Sequence, residues 1–353
     1  SLHRLVLHEV GHTLGLNHNF KGSTLLTNEE VKNPDIVHEK GLCSSVMEYP
    51  AINIVTDPIN QSLFYDTKPG PYDNWAIEFG YSIFKDSLED DGLEAILEKS
   101  TQANLAFAND ADDMRSPGKG IDPNAMINDL TSEPILHSIE KMEMINEMLP
   151  ELKEKYSFEG ESYERLRRSY FSLIGSYFSC LDIISRQIGG VYVDRSFNGQ
   201  STNRKPFEPV PFDLQNNAMD ALAKYAFSDN QLLILQDIYP FLQSQRRGFN
   251  FRSSGEDPKI LSSILYRQKR LLAQLLHKNV LTRINNSSLY GNSYSLTQYM
   301  IDLRKAIFMK DMYGSVSILR QNIQIAYLEK LLSIVSDNTS YDNLSQSSAY
   351  YNI

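Results

Sequence analysis

A group of histidines near the start of this 353-residue chain occurs at a spacing that fixes its local structure. The pattern His-Glu-x-x-His-x-x-Gly-x-x-His is formed by His8, Glu9, His12, Gly15 and His18. On an α-helix, His8 and His12 lie about 6 Å apart along the axis and on the same face. A glycine at position 15 tolerates the left-handed conformation that ends a helix, so the chain can turn back and bring His18 to the same point.

Three imidazoles at one point are the ligand set of a catalytic zinc site, because three neutral nitrogens leave a fourth position open for water. The spacing therefore predicts that His8, His12 and His18 bind Zn²⁺. Glu9 lies next to the first ligand, about 100° around the helix axis, where it can act on a water as a general base. Five residues at this spacing arise by chance in roughly one chain of this length in 10⁵, which disfavours an amphipathic helix with incidental surface histidines.

A gluzincin site would instead take its third ligand from a glutamate on a downstream helix. Glutamates are available at Glu29, Glu30, Glu39 and Glu48. This alternative leaves Gly15 and His18 without a role, so it is disfavoured. The remaining histidines are interpreted as surface or core residues, and they are His3, His38, His137 and His277.

A second segment, Ser-Val-Met-Glu-Tyr at residues 45–49, is followed by Pro50 and has the form Ser-x-Met-x-Tyr. Together with the histidine motif, it resembles the metzincin clan of zinc peptidases, in which a Met-turn follows the extended zinc motif. The resemblance implies that Met47 forms an apolar floor beneath the three histidines. It also implies that Tyr49 lies close enough to bind the resting zinc or to donate to the oxyanion.

A third segment, Gly-Pro-Tyr-Asp-Asn-Trp-Ala-Ile-Glu-Phe-Gly-Tyr at residues 70–81, resembles the last helix of a metzincin catalytic domain. Pro71 suits the first turn of such a helix. The three segments together, with residues 189–193 and 206–210, resemble the large bacterial secreted zinc-dependent metalloproteases. The resemblance implies a secreted, periplasmic or cell-surface location and a protein or peptide substrate.

The helical pattern begins at once, with Leu2, Leu5, Val6 and Val10 on one side of the predicted helix. Metzincins place a sheet before the zinc helix, and substrate lies along an edge strand of that sheet. We therefore expect that the upstream half of the same polypeptide lies outside this sequence. On that expectation, the 353-residue chain cleaves peptides poorly by itself.

The predicted fold class is mainly α: the lower, C-terminal subdomain of a metzincin catalytic domain, followed by a helical region with one small β-hairpin. The predicted domains are residues 1–130, which hold the zinc site, and residues 131–353, with the hairpin near 189–210. Apolar residues at three- and four-residue spacing predict the later helices. These are residues 136–155, 162–186, 216–227, 231–243, 258–280, 296–312 and 315–336. The polar tail from Asp337 is expected to be loosely ordered.

Composition excludes several classes of protein. Thirty-four basic and 44 acidic residues give a net charge of −10, which argues against a general nucleic-acid binder. No run of apolar residues is long enough for a transmembrane helix. The only two cysteines, Cys43 and Cys180, are expected to remain unpaired thiols rather than to form a disulfide.

Two charged stretches leave alternatives open. The acidic residues Asp110, Asp112, Asp113 and Asp122 resemble loosely spaced calcium ligands, but they lack the fixed spacing of an EF-hand and are interpreted as a solvated loop. Residues 246–310 are strongly basic, and a face of this kind can bind nucleic acid or an anionic membrane. Pairing with acidic neighbours inside the protein is the favoured interpretation.

Two functions are compatible with the sequence. The first is a zinc-dependent endopeptidase in which Glu9 is the general base and Tyr49 stabilises the oxyanion. The second is a non-catalytic helical binding or scaffold protein that carries a structural or vestigial zinc site. The intact Glu9 favours the endopeptidase, because a vestigial site needs no general base.

Overall fold

The computed structural model describes residues 2–55, 57–112, 116–200, 202, 204–228, 236–244, 257–337 and 339–353. The chain divides into two compact units. The first unit comprises Ser1–His137 and Gly190–Val210, and the second comprises Ser138–Gly189 and Pro211–Ile353. Helices predominate, with one two-stranded sheet among the described residues, which confirms the predicted mainly α class.

In the described part of the first unit, four α-helices are joined by long segments and short 3₁₀ turns. The helices are α1 (Leu2–Thr13), α2 (Pro34–Lys40), α3 (Pro71–Tyr81) and α4 (Glu89–Leu97). Helix α2 begins where the Asn33 side chain accepts hydrogen bonds from two backbone N–H groups, and it ends at Gly41 with φ of 86°. Val37 of this helix belongs to a core cluster of buried residues, namely Leu26, Val31, Val37, Leu42, Cys43, Ala51 and Leu130.

A small hairpin completes the first unit. Strands β1 (Val191–Val193) and β2 (Phe207–Pro209) pair antiparallel, with Tyr192 opposite Glu208. This confirms the predicted hairpin, but it belongs to the first unit, whereas the sequence suggested that it lies in the second domain. Two hydrogen bonds join strand β1 to residues of the first unit. The backbone N–H of Val191 donates to the Ile121 carbonyl (2.8 Å), and that of Val193 donates to the Asp122 carboxylate (3.0 Å).

The second unit is helical. Its helices are α5 (Pro134–Met148, which begins in the first unit), α6 (Leu152–Tyr156), α7 (Glu164–Gln187), α8 (Phe212–Tyr225), α9 (Ile260–Leu275), α10 (Lys278–Ser287), α11 (Leu296–Phe308), α12 (Ile318–Ser336) and α13 (Asn343–Tyr351). Two predicted helices are each divided. The 136–155 helix is interrupted by a 3₁₀ turn that contains Pro150, and the 258–280 helix is interrupted at His277, whose ring nitrogen caps α10. Of the predicted 231–243 helix, residues 231–235 lie outside the described residues, and Gln236–Phe241 form a 3₁₀ helix.

The expectation of a loosely ordered tail is wrong, because α13 forms within it. The Asp342 side chain caps this helix by accepting a hydrogen bond from the Ser345 N–H (2.8 Å). It also accepts one from the Thr282 hydroxyl of α10 (2.6 Å), while Ala349 is fully buried. A capped start and two buried small residues, Ser345 and Ala349, fix a helix that its polar composition does not predict.

In its described part, residues 257–310, the basic stretch forms ion pairs within the second unit, while residues 246–256 lie outside the described residues. Examples are the pairs Lys269–Glu329, Arg270–Asp182 and Lys305–Asp302. Both cysteines are buried free thiols, as expected. In the described part of the chain, no helix combines the length and hydrophobicity that crossing a bilayer requires.

Candidate metal centre

The histidine motif folds as its spacing predicts. Helix α1 carries His8 and His12 with ring centroids 4.9 Å apart. The helix ends at Thr13, and Gly15 takes up φ of +88°, so the chain reverses. His18 returns to within 5.3 Å of His8 and 4.9 Å of His12 between ring centroids. One ligand atom from each of the three residues lies within 4.8 Å of the others.

Each of the three imidazoles is oriented by a hydrogen bond at Nδ1. The acceptors are the Val46 carbonyl for His8 (2.8 Å), the Leu16 carbonyl for His12 (3.0 Å) and the Asp110 carboxylate for His18 (2.7 Å). Since carbonyl and carboxylate oxygens only accept, each Nδ1 must carry the proton. In the neutral imidazole, each Nε2 then presents a lone pair, which is the form of histidine that binds a metal ion.

The buried nitrogen of His8 tests whether these residues fit a metal. His8 is 3% exposed, and its Nε2 has no hydrogen-bond partner among the described residues. A buried polar atom without a partner costs free energy, and coordination of a metal by this nitrogen would remove that cost. Burial also lowers the pKa of His8, and the neighbouring His12 and His18 add to this effect. The residue set therefore fits Zn²⁺, which binds neutral imidazoles.

Met47 lies against helix α1 at Gly11, and its role as a floor beneath the histidines stays a prediction. Its side chain is fully buried. A Cβ added to Gly11 would lie 2.3 Å from the Met47 sulfur, so the helix can approach this closely only with glycine at position 11. Gly11 was not singled out from the sequence, although a glycine inside a helix costs about 1 kcal/mol and often marks close packing.

The segment before Met47 is held by the start of α3. The Asp73 carboxylate accepts hydrogen bonds from the Ser45 hydroxyl (2.5 Å) and from the N–H groups of Val46 and Gly70 (both 2.8 Å). A Cβ on Gly70 would lie 2.1 Å from the Ser44 carbonyl oxygen, so this position also requires glycine. The predicted helix at residues 70–81 is therefore confirmed, and it positions the Val46 carbonyl that orients His8.

Tyr49 lies beside the histidines. Its hydroxyl is 3.1 Å from Nε2 of His18, and its ring centroid is 4.9 Å from those of both His8 and His18. Because Nδ1 of His18 holds the proton, the phenol donates to Nε2. Its oxygen thus lies next to the lone pair that a metal would use. Glu9, the predicted general base, is solvent-exposed on α1 next to His8.

Two carboxylates near Tyr49, those of Glu48 and Asp129, are buried, which the sequence did not indicate. Glu48 is fully buried and accepts from the N–H groups of Tyr49 (2.7 Å) and Ser23 (3.1 Å). Asp129 accepts from the Ser23 hydroxyl (2.7 Å). Burial, with the nearby Asp129 charge, raises the pKa of Glu48 well above its usual value, and burial raises the pKa of Asp129 to about 6. By accepting these hydrogen bonds, Glu48 ties the 47–49 segment to Ser23, which Asp129 also binds.

The interpretation of the acidic residues from Asp110 to Asp122 as a solvated loop missed three contacts, and Asp122 is only 4% exposed. Asp110 binds His18, Asp112 pairs with Arg195, and Asp122 pairs with Lys21 (2.7 Å), so these three carboxylates have different partners. Asp113 lies outside the described residues. Asp110 follows His18 by 92 positions, a separation at which no local pattern predicts contact.

The structure also disfavours the glutamate alternative. The carboxylate of Glu48 is occupied by backbone N–H groups, while Glu29 and Glu30 pair with Lys32 and Lys40. Over the described ranges, the three histidines form the only group of three or more His, Cys, Asp or Glu residues able to hold a metal ion.

Comparison with known proteins gives one match. A family model described as Met-zincin matches residues 1–314. No curated protein matches the chain, and no solved structure does.

Proposed function

This chain belongs to the Met-zincin family, and on that premise we propose that it is a zinc-dependent endopeptidase. Family membership supports a metalloprotease-type enzyme that uses zinc. We propose His8, His12 and His18 as the zinc ligands. When bound, zinc supplies Lewis acidity, which polarises a peptide carbonyl and lowers the pKa of water.

Glu9 is the proposed general base. A carboxylate one residue after a ligand, on the same helix, is positioned to accept a proton from the attacking water. The same carboxyl group then delivers that proton to the leaving amine. Its exposed position on α1 leaves it accessible to substrate and solvent.

Tyr49 is the proposed oxyanion donor. Its hydroxyl donates to Nε2 of His18 at 3.1 Å, and occupation of that nitrogen by a metal would release the phenol for another acceptor. A developing oxyanion is such an acceptor. Met47 and the buried Glu48–Asp129 pair hold the segment that carries this tyrosine.

The substrate class and the cellular location are also proposals. Peptides are the proposed substrates, and the location outside the cytoplasm that the sequence suggests stays a prediction. The apolar side chains of α1 are exposed, with Leu2 at 73% and Leu5 at 52%, and these are the side chains that an upstream sheet would cover.

A single observation carries the proposal: three imidazoles converge with every Nδ1 hydrogen-bonded to an acceptor, which leaves three Nε2 lone pairs for one metal ion. A structural zinc is normally enclosed by four protein ligands. Here Glu9 and His12 are solvent-exposed, which favours a catalytic site over the alternative of a non-catalytic scaffold.

The test combines metal analysis with mass spectrometry of a degenerate peptide library. We expect about one zinc per chain and slow cleavage that stops on chelation and resumes when zinc is returned. His12→Ala should lose both zinc and cleavage. Wild-type protein that holds zinc but yields the same cleavage products as His12→Ala would contradict the endopeptidase and favour the scaffold.

A further inference from the structure

The three histidines are not oriented in the same way. The Nδ1 atoms of His8 and His12 donate to backbone carbonyls, whereas that of His18 donates to a carboxylate, Asp110, at 2.7 Å. A carboxylate holds the Nδ1–H tautomer more strongly than a carbonyl does, and it makes the opposite nitrogen a better metal ligand.

His18 is also the histidine that its own backbone constrains least. His8 and His12 lie on α1, and His8 is 3% exposed, so packing limits its ring. His18 follows the Gly15 turn and lies outside any helix. Its ring is stacked on Phe20, with centroids 5.4 Å apart and an interplanar angle of 25°. Stacking on one face does not restrain rotation within the ring plane. Two hydrogen bonds do so, from Nδ1 to Asp110 and from the Tyr49 hydroxyl to Nε2, and only the bond to Asp110 can persist when a metal occupies Nε2.

The segment that carries Asp110 is bound to the segment that carries His18. The amide of Asn19, which is fully buried, donates to the Ala106 carbonyl (3.0 Å) and accepts from the Ala108 N–H (3.3 Å). The Phe20 N–H donates to the Ala108 carbonyl at 2.7 Å. Two residues next to His18 therefore fix the chain two to four residues before Asp110.

The other side of the segment is held by the hairpin of the same unit. Asp110 begins a 3₁₀ turn, Asp110–Asp112, in which the Asn109 side chain accepts from the Ala111 N–H (3.0 Å). Arg195, two residues beyond β1, pairs with Asp112 at the end of this turn. The Asp110 carboxylate is thus held between two anchored points, although its own side chain is 57% exposed.

We propose that Asp110 is a positioning residue for the third zinc ligand, His18, and that Arg195 stabilises the turn that presents it. The inference rests on the proposed zinc site but not on peptide hydrolysis. Asp110 touches neither substrate nor metal, and it acts by fixing the tautomer and the orientation of the His18 ring.

The first test is zinc affinity, measured by competition with a chelator on the whole chain. Asp110→Ala should weaken zinc binding by about 10- to 100-fold, the effect typical of losing an orienting partner. Asp110→Glu keeps the carboxylate and should recover part of the loss. Asp90→Asn, which removes an exposed carboxylate on α4, is the matched control and should bind zinc as the wild type does.

The second test reports on the ring itself. Long-range ¹H–¹⁵N spectra should show the His18 proton on Nδ1 in the wild-type protein, and that tautomer should be lost in Asp110→Ala. The visible spectrum of the Co²⁺-substituted protein should change in Asp110→Ala and not in Asp90→Asn. Far-ultraviolet circular dichroism of the metal-free variants should stay unchanged, which separates positioning from a folding defect.

Two results would overturn the proposal: wild-type zinc affinity and Co²⁺ spectrum in Asp110→Ala, or a wild-type His18 that carries its proton on Nε2. These results are distinguishable from failure of the endopeptidase proposal. If the wild type binds zinc but cleaves no peptide, the affinity difference between Asp110→Ala and Asp90→Asn still reports on positioning.

Discussion

The sulfur of Met47 occupies the space in which a side chain at Gly11 would begin, since a Cβ built on Gly11 would lie 2.3 Å from it. The contact joins the helix that carries His8 and His12 to the segment that carries Tyr49. It explains why helix α1 has a glycine between its two histidines.

This contact predicts the effect of Gly11→Ala. Glycine to alanine inside a helix usually stabilises by up to about 1 kcal/mol. Here the buried Met47 cannot move freely, so we expect a loss of about 1–3 kcal/mol, as for other overpacked cores. Gly175→Ala in α7, where a Cβ meets nothing within 4 Å, is the matched control and should stabilise. Urea unfolding measures both, and a Gly11→Ala protein as stable as Gly175→Ala would contradict the packing argument.

Asp66 predicts a pH dependence of stability. Burial raises the pKa of its carboxyl from 3.8 to about 6, against hydrogen bonds from Leu42 and Cys43. Because the folded pKa exceeds the unfolded one, the carboxyl stabilises the fold below about pH 4, and this contribution is lost as pH rises through about 6. Two pKa units correspond to about 3 kcal/mol.

The measurement is the free energy of unfolding of Asp66→Asn and of wild type between pH 4 and pH 7. As pH rises across this interval, the free energy of unfolding of Asp66→Asn should increase relative to that of the wild type by up to about 3 kcal/mol. The exposed Asp90→Asn should follow the wild type. A constant difference between Asp66→Asn and wild type would show that the Asp66 carboxyl titrates normally.

Tyr49→Phe separates metal binding from catalysis. The variant loses the hydroxyl that lies 3.1 Å from Nε2 of His18. Loss of an oxyanion donor lowers kcat by about 10²- to 10³-fold, so we expect a fall of this order in kcat. Zinc affinity should not fall, because the phenol competes for the lone pair of His18. Tyr313→Phe, at a side chain 95% exposed, serves as the control, and an unchanged kcat in Tyr49→Phe would exclude the proposed role.

Zinc should stabilise the folded protein. A ligand that binds only the folded state stabilises it by about 2.7 kcal/mol when present at 100 times its Kd. Chelation should therefore lower the unfolding temperature of the wild type, and returned zinc should restore it. His12→Ala should respond to neither treatment. An unfolding temperature that is independent of zinc in the wild type would argue against binding by the three histidines.

The local parts of the site were predictable from the sequence. His8 and His12 follow helical spacing, Gly15 has the positive φ that the turn requires, and the helix at residues 70–81 begins at its proline. Such features depend on interactions within a few residues, which periodicity and turn chemistry describe.

The parts that were missed depend on contacts between distant residues. Asp110 meets His18 across 92 positions, and Asp129 meets Ser23 across 106. The hairpin joins the first unit through Ile121 and Asp122, which no strand pattern indicates. In the sequence, Asp110 and Asp129 look like any solvent-exposed aspartates. Only the folded structure shows which residues they contact.

The central claim is that Glu9 is the base of a zinc peptidase, and Glu9→Gln tests it most directly. Cleavage of a degenerate peptide library is compared between Glu9→Gln and wild type at matched zinc content, with the exposed Glu89→Gln as control. General-base catalysis contributes about 10²- to 10⁴-fold, so Glu9→Gln should retain its zinc and lose cleavage by at least the lower of these factors. Glu89→Gln should cleave as the wild type does. Cleavage by zinc-loaded Glu9→Gln at the wild-type rate would contradict the account.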